Sequence, residues 1–364
     1  MRIVFAGGGT GGHLYPGLAI ARAVQRLRPE VRPFFIGARR GVERDVLPTT
    51  GFPYVLLDLH PLYRTRVWKN AQTAWGLLSA WRGIGRVVSE ERPALIVGTG
   101  GYAAGAALAY GVAHGIPIAQ QASDALPSLT TRMFSRWSRE VYLAIPESAE
   151  KLRARTPDAL LDTGAPIEPP PEPRPDRTAA RRNWGFPDDA QVVLVYGGSQ
   201  GSLAVNRAVA TWVQGALPPR VHVIWGTGKT THKEFAPFAS ARVRVREFLS
   251  PIADAYAAAD LAVTRAGMMT IAELCAWHIP SVLIPLPTAA ADHQTRNAQA
   301  LASAGAAILL PQSELSAERL AGTVNDLLGS PAKLQSLARS AATRGRPNAA
   351  ETIARHIIAL LPAP

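Results

Sequence analysis

Short runs of apolar, β-branched residues recur along this chain, and stretches of helical periodicity separate them. In the first half the runs are Ile3–Ala6, Pro33–Ile36, Val55–Leu59, Ala94–Val97, Ile116–Ala119 and Val141–Ile145. In the second half they are Val192–Tyr196, Val221–Trp225, Val243–Phe248, Leu261–Thr264, Val282–Pro285 and Ala307–Leu310. Runs this short and this uniformly apolar read as strands buried on both faces, and the intervening helices supply the crossovers that parallel pairing needs. The fold class is therefore α/β, with two doubly wound, Rossmann-like sheets, one in each half. A length of 364 residues suits two domains of similar size.

The halves are divided by Gly164-Ala165-Pro166-Ile167-Glu168-Pro169-Pro170-Pro171-Glu172-Pro173-Arg174-Pro175, where proline removes backbone donors and helical geometry. The expected organisation is a first domain over residues 1–163, a linker over 164–176, a second domain over 177–345 and a terminal segment over 346–364. Within that last segment Ile353, Ile357, Leu360 and Leu361 fall on one side of an amphipathic helix. Such a helix can cap either domain and is assigned to the first.

The lone Cys275 cannot form an internal disulfide; set in an apolar run, it reads as a packed core thiol in a reducing compartment. The opening residues run straight into a strand pattern rather than a secretory leader, and no stretch approaches the roughly 18 apolar residues of a membrane span. The expectation is a cytoplasmic chain. A net charge of +12 and a pI near 10.4 call for an anionic partner: nucleic acid, an acidic membrane or a phosphorylated substrate. No nucleic-acid recognition motif accompanies the charge.

Three glycine-rich turns follow predicted strands: Gly7-Gly8-Gly9-Thr10-Gly11-Gly12-His13, Gly98-Thr99-Gly100-Gly101-Tyr102 and Gly197-Gly198-Ser199-Gln200-Gly201-Ser202. Open α/β sheets bind ligands at the carboxyl ends of their strands, so these turns imply a cleft for an oxygen-rich ligand, with helix N-termini favouring negative charge. The first turn satisfies a dinucleotide fingerprint literally. The second strand, however, ends Gly37-Ala38-Arg39-Arg40 with no acidic residue for a ribose, which disfavours NAD and leaves an NADP-dependent oxidoreductase as an alternative. Gly226-Thr227-Gly228-Lys229-Thr230 imitates the end of a phosphate-binding P-loop but has Val223 where that motif requires glycine.

The first turn, continued to Pro16, combines with the other two turns, with Arg265-Ala266-Gly267, Thr270 and Glu273, and with His293-Gln294, Asn297 and Ala298. As a set they resemble the UDP-N-acetylglucosamine:undecaprenyl-diphospho-muramoylpentapeptide N-acetylglucosaminyltransferases, from Arg2 to about Leu310. The resemblance implies a GT-B architecture, two domains facing a cleft, an acceptor-binding first domain and a donor-binding second one. It also implies transfer with inversion, in which the acceptor's C4 hydroxyl displaces UDP from the anomeric carbon. His13 is the candidate general base, since imidazole titrates near neutrality. Thr10, Gly11, Gly12, Ser199, Gln200, Gly201, Gly267, Met268, Met269 and Thr270 are then donor-side positions. Leu249 is implied beside uracil, Glu273 at the ribose hydroxyls, and His293, Gln294 and Asn297 at the sugar. Gly100, Gly101, Tyr102 and Asp124 are assigned to the acceptor. No Asp-x-Asp motif occurs, so no metal and no cofactor are expected, and amides and helix dipoles must stabilise the diphosphate.

Two segments depart from the family pattern. Gln121-Ala122-Ser123-Asp124 stands where His-Glu-Gln-Asn is usual, and Gly164-Ala165-Pro166-Ile167-Glu168 puts an anion where the family carries arginine. These leave room for another UDP-sugar transferase with a lipid acceptor, or for a non-catalytic nucleotide-sugar-binding relative. The stretch from Arg64 to Arg86 has five basic and no acidic residues; with Trp68, Lys69, Trp75, Leu78, Trp81 and Arg82 it reads as a face for an anionic inner membrane surface. Arg132-Met133-Phe134-Ser135-Arg136-Trp137-Ser138-Arg139 extends it. Peripheral attachment at the cytoplasmic side follows, beside a lipid-linked acceptor.

Overall fold

The computed structural model describes residues 1–59, 70–215 and 217–362, and of these the side chains of 70–75, 77 and 78 are outside the description. The chain divides into two compact units, Met1–Glu168 with Asn348–Pro364, and Pro169–Pro347.

The first unit is built on β1 (Arg2–Gly7), β2 (Arg32–Ala38), β3 (Tyr54–Leu57), β4 (Leu95–Gly100), β5 (Ile118–Ala122), β6 (Val141–Leu143) and β7 (Leu160–Asp162). All pair in parallel, in the order β3-β2-β1-β4-β5-β6-β7. Six of these are the expected runs. The seventh, Leu160–Asp162, is a three-residue edge strand between Pro157 and Gly164, too short and too exposed for periodicity to reveal. Connecting helices are α1 (Gly11–Leu27), α2 (Glu43–Val46), α3 (Asn70–Glu91), α4 (Gly101–Ala113) and α5 (Leu129–Phe134).

Alternate strand residues face opposite layers. Ile3, Phe5, Phe35 and Val97 pack on Leu14, Leu18 and Val24 of α1, whereas Val4, Ile36 and Ile96 pack on Ile84 of α3 and Ala103, Ala107 and Leu108 of α4. Each large apolar side chain so buried contributes about 1.5–3 kcal/mol. The strand order reverses between β1 and β4, which puts the topological switch point at the turns after these strands.

The second unit repeats the plan with β8 (Gln191–Tyr196), β9 (Val221–Gly226), β10 (Val243–Arg246), β11 (Leu261–Thr264), β12 (Ser281–Leu283) and β13 (Ile308–Leu309), ordered β10-β9-β8-β11-β12-β13 and all parallel. Its helices are α6 (Arg177–Asn183), α7 (Leu203–Gly215), α8 (His232–Phe235), α9 (Ile252–Ala258), α10 (Met268–Trp277), α11 (His293–Ser303), α12 (Ala317–Leu328) and α13 (Pro331–Arg344). Its switch point falls between β8 and β11. Cys275 on α10 is buried, and burial pushes its thiol up to about 12, in keeping with a core role.

After α13 the chain returns to the first unit as α14 (Ala349–Ala359), which lies along α1 with Ile353, Ala354 and Ile357 fully buried. The His356 ring approaches Glu140 at 3.4 Å and adds a polar tie beside this apolar seam.

Candidate active site

At the switch point of the first unit, β1 ends in Gly7 and α1 begins at Gly11. Between them the backbone bends around Glu43, a fully buried carboxylate on α2 that accepts hydrogen bonds from Gly9 N (2.9 Å) and Ala38 N (3.0 Å). A Cβ on Gly8 or Gly41 would stand within 2 Å of its oxygens. These glycines therefore admit an internal anion, and the Gly9 amide expected to face a ligand is already engaged. Glu43 is the site residue that sequence reasoning missed. Its only signal in the sequence is an acidic residue following Gly41 just past β2.

His13 is half-buried on the first turn of α1, and Thr99 fixes that turn by donating its hydroxyl to His13 O at 2.7 Å. The imidazole packs against Gly100 and Gly101, where β4 runs into α4. A Cβ on Gly100 would sit 2.6 Å from His13 Nδ1, and one on Gly101 would sit 2.1 Å from Gly8 O, so only glycine lets the two turns meet here. Tyr102 covers Gly9 from the other side, its ring 2.8 Å from where a Cβ would be. Two expected motifs are thus one constellation: His13, Gly100, Gly101 and Tyr102. The segment that departs from the family pattern adjoins it, with Ser123 donating to Gln121 Oε1 (2.6 Å) and reaching Gly12 O (3.4 Å), and with Asp124 half-buried beside them.

In the second unit the turn after β8 leaves Ser199 and Gln200 exposed ahead of α7. Its support comes from the segment that only imitated a P-loop. Lys229 N donates to Ser199 O (3.2 Å), Thr230 Oγ1 donates to Gln200 O (2.6 Å), and Gly228 and Gly201 pack backbone to backbone, a Cβ on either falling about 2 Å from the other loop. Buried Asn206 locks this second loop by donating to Thr227 O and Thr231 Oγ1, both at 2.9 Å, while accepting from Trp225 Nε1 at 2.9 Å. Lys229 itself is exposed.

Gly267 caps α10, whose first turn carries Met269 and Thr270 half-buried, with Glu273 one turn on. Glu273 Oε2 accepts from the Tyr256 hydroxyl at 2.7 Å. Ahead of α11, Ala291 and Asp292 are held at φ 52° and 54°, the left-handed region that costs such residues of order 1–3 kcal/mol and that clusters at ligand clamps. His293 and Gln294 follow at once, half-buried, and Gln294 Oε1 accepts from Leu286 N at 3.0 Å.

Three of the expected donor positions are buried. Asn297 has no exposed surface and donates to Ala266 O at 3.2 Å, which holds the turn before α10. Met268 is 6% exposed and packs into the core. Leu249, at 7%, packs its side chain over Gly226 and into the cluster with Tyr196 and Ile224.

Residues 3–143 match the glycosyltransferase family 28 N-terminal domain and residues 192–353 its C-terminal domain. A Salinibacter ruber protein named UDP-N-acetylglucosamine–N-acetylmuramyl-(pentapeptide) pyrophosphoryl-undecaprenol N-acetylglucosamine transferase is 38% identical over 98% of this chain and 96% of its own length. A Porphyromonas gingivalis protein of the same name is 35% identical over 98% and 95%. This chain belongs to that transferase family. The crystal structure of Acinetobacter baumannii MurG superposes on this family member with a TM-score of 0.79 at 25% identity, covering 98% of this chain and 99% of that one. The fold is accordingly GT-B, and membership sets the oxidoreductase alternative aside.

Of the basic, aromatic stretch of this transferase, Trp68 and Lys69 lie outside the described residues, as do the side chains of Trp75 and Leu78. Trp81 on α3 is 38% exposed and leans on Tyr110 of α4, ring centroids 4.8 Å apart, with Arg82 exposed next to it. The second stretch is more open: Leu129, Met133 and Trp137 are 46%, 53% and 41% exposed, and the Arg136 guanidinium lies 3.8 Å over the Trp137 ring. Both α3 and α5 pack on α4. Among the described residues no helix is long and apolar enough to cross a membrane.

Proposed function

We propose that this transferase moves N-acetylglucosamine from UDP-N-acetylglucosamine to the C4 hydroxyl of the muramyl residue of undecaprenyl-diphospho-muramoylpentapeptide, with inversion. The observation that carries this reading is full-length similarity to transferases of that name, joined to the packing of His13 onto the Gly100–Gly101 turn. His13 takes the proton from the attacking hydroxyl as the new glycosidic bond forms and the bond from the anomeric carbon to UDP breaks. Charge gathering on the diphosphate is met by the amides around Ser199–Gly201 and the N-terminus of α10, with Lys229 adding a cation on the adjoining loop. Glu273 accepts from the ribose hydroxyls, and His293 and Gln294 read the sugar.

The acceptor is held by the first unit, around Tyr102 and Asp124. The exposed Leu129, Met133 and Trp137, interleaved with Arg132, Arg136 and Arg139, suit an anionic headgroup layer, where indole rings and guanidinium groups both gain. Peripheral docking on the cytoplasmic face would keep the catalytic unit beside a lipid-borne acceptor. The mechanism is tested by His13→Ala. Turnover should fall by about a hundredfold or more, the usual scale for a positioned base, with UDP affinity little changed. Near-normal turnover would remove His13 from the chemistry.

A further inference from the structure

Two buried phenols beneath α10 are not accounted for by packing alone. Tyr196 at the end of β8 is 8% exposed and Tyr256 on α9 is 3% exposed, both in the apolar cluster with Leu249 and Trp277. Phenylalanine would fill the same volume, and a buried hydroxyl costs stability unless it is hydrogen-bonded. Here the two hydroxyls lie 2.8 Å apart, and Tyr256 donates to Glu273 Oε2 at 2.7 Å. Burial and the nearby Glu273 carboxylate push both phenols well above their ordinary range, so each keeps its single proton at any physiological pH. Since the Tyr256 proton goes to Glu273, the Tyr196 proton must go to Tyr256. Aligned donors of this kind polarise one another.

We propose that Tyr256, backed by Tyr196, is the positioning residue that fixes the Glu273 carboxylate for the ribose hydroxyls and so sets the preference for a ribonucleotide donor. This rests on the reading that Glu273 holds the ribose. A carboxylate on a half-buried helix face has rotational freedom about its last bonds. One short bond from a rigid phenol restricts that freedom and lowers the ordering cost of meeting the ribose hydroxyls.

The experiment is calorimetric titration of UDP and of 2′,3′-dideoxy-UDP into wild type, Tyr256→Phe, Tyr196→Phe and Glu273→Ala. Wild type should prefer UDP, and Glu273→Ala should abolish the preference. Tyr256→Phe should weaken UDP binding by roughly fivefold to tenfold, the scale of a hydrogen bond to a charged group, while leaving the dideoxy analogue unchanged. Tyr196→Phe should show the same selective loss at smaller size, and unchanged affinity for the analogue certifies an intact site in each variant. Equal weakening of both nucleotides in Tyr256→Phe, or an undiminished preference for UDP, overturns the inference. If Glu273→Ala abolishes the preference while both phenylalanine variants keep it, only the inference falls. If Glu273→Ala also keeps it, the ribose reading itself falls.

Discussion

At the scale of single residues, the same polar group serves different ends according to what surrounds it. Glu43 and Glu273 are both carboxylates next to glycine-containing turns, yet Glu43 is sealed under the first turn and spends its oxygens on two backbone amides, whereas Glu273 is half-buried and accepts from the Tyr256 hydroxyl. Glu43→Ala should therefore act on the fold: with two buried donors orphaned, stability should drop by about 3 kcal/mol in denaturant unfolding. A loss under 1 kcal/mol would mean that water replaces the carboxylate. Motif spacing made His13, Gly100, Gly101 and Tyr102 legible as positions of interest, but it carried no information on burial. That Asn297, Met268 and Leu249 are buried could not be read from it. Glu43 was illegible for the converse reason, because its partners are backbone amides of Gly9 and Ala38, which no side-chain pattern advertises.

At the scale of elements, the runs of valine, leucine and isoleucine announced their strands because parallel strands are covered on both faces and admit almost nothing polar. The ends were less legible, with β5 starting at Ile118 and β6 stopping at Leu143, since strand ends depend on where pairing partners run out. The decoy segment Gly226–Thr230 shows how a motif can mislead in name and still matter in place. It lacks the first glycine of a P-loop, but it braces Ser199 and Gln200. The α14 seam is the element whose removal the fold would feel most simply. Ile357 is fully buried within the cluster that also contains α1, so Ile357→Ala should cost about 2–4 kcal/mol, read from the unfolding midpoint. An unchanged midpoint would show that α14 is not docked in solution.

At the scale of the whole molecule, the excess of positive charge acquires a location. Arg132, Arg136 and Arg139 stand among Leu129, Met133 and Trp137, a set that an aqueous surface has no need to assemble. Sedimentation with anionic vesicles should exceed that with neutral ones. It should weaken as salt rises and fall several-fold in Met133→Ser/Trp137→Ser, each basic group near the surface contributing on the order of 1 kcal/mol. Equal sedimentation of the variant and wild type would relocate the docking face. The reaction itself is tested most directly by transfer of label from radiolabelled UDP-N-acetylglucosamine. Purified protein would be offered the lipid-linked muramyl-peptide acceptor in one reaction and the same lipid diphosphate without its muramyl-peptide in another. Label should appear in the lipid fraction only when the muramyl acceptor is present, and far less of it with His13→Ala. Folded, UDP-binding protein that leaves the muramyl lipid unlabelled, or that labels both lipids alike, would contradict it.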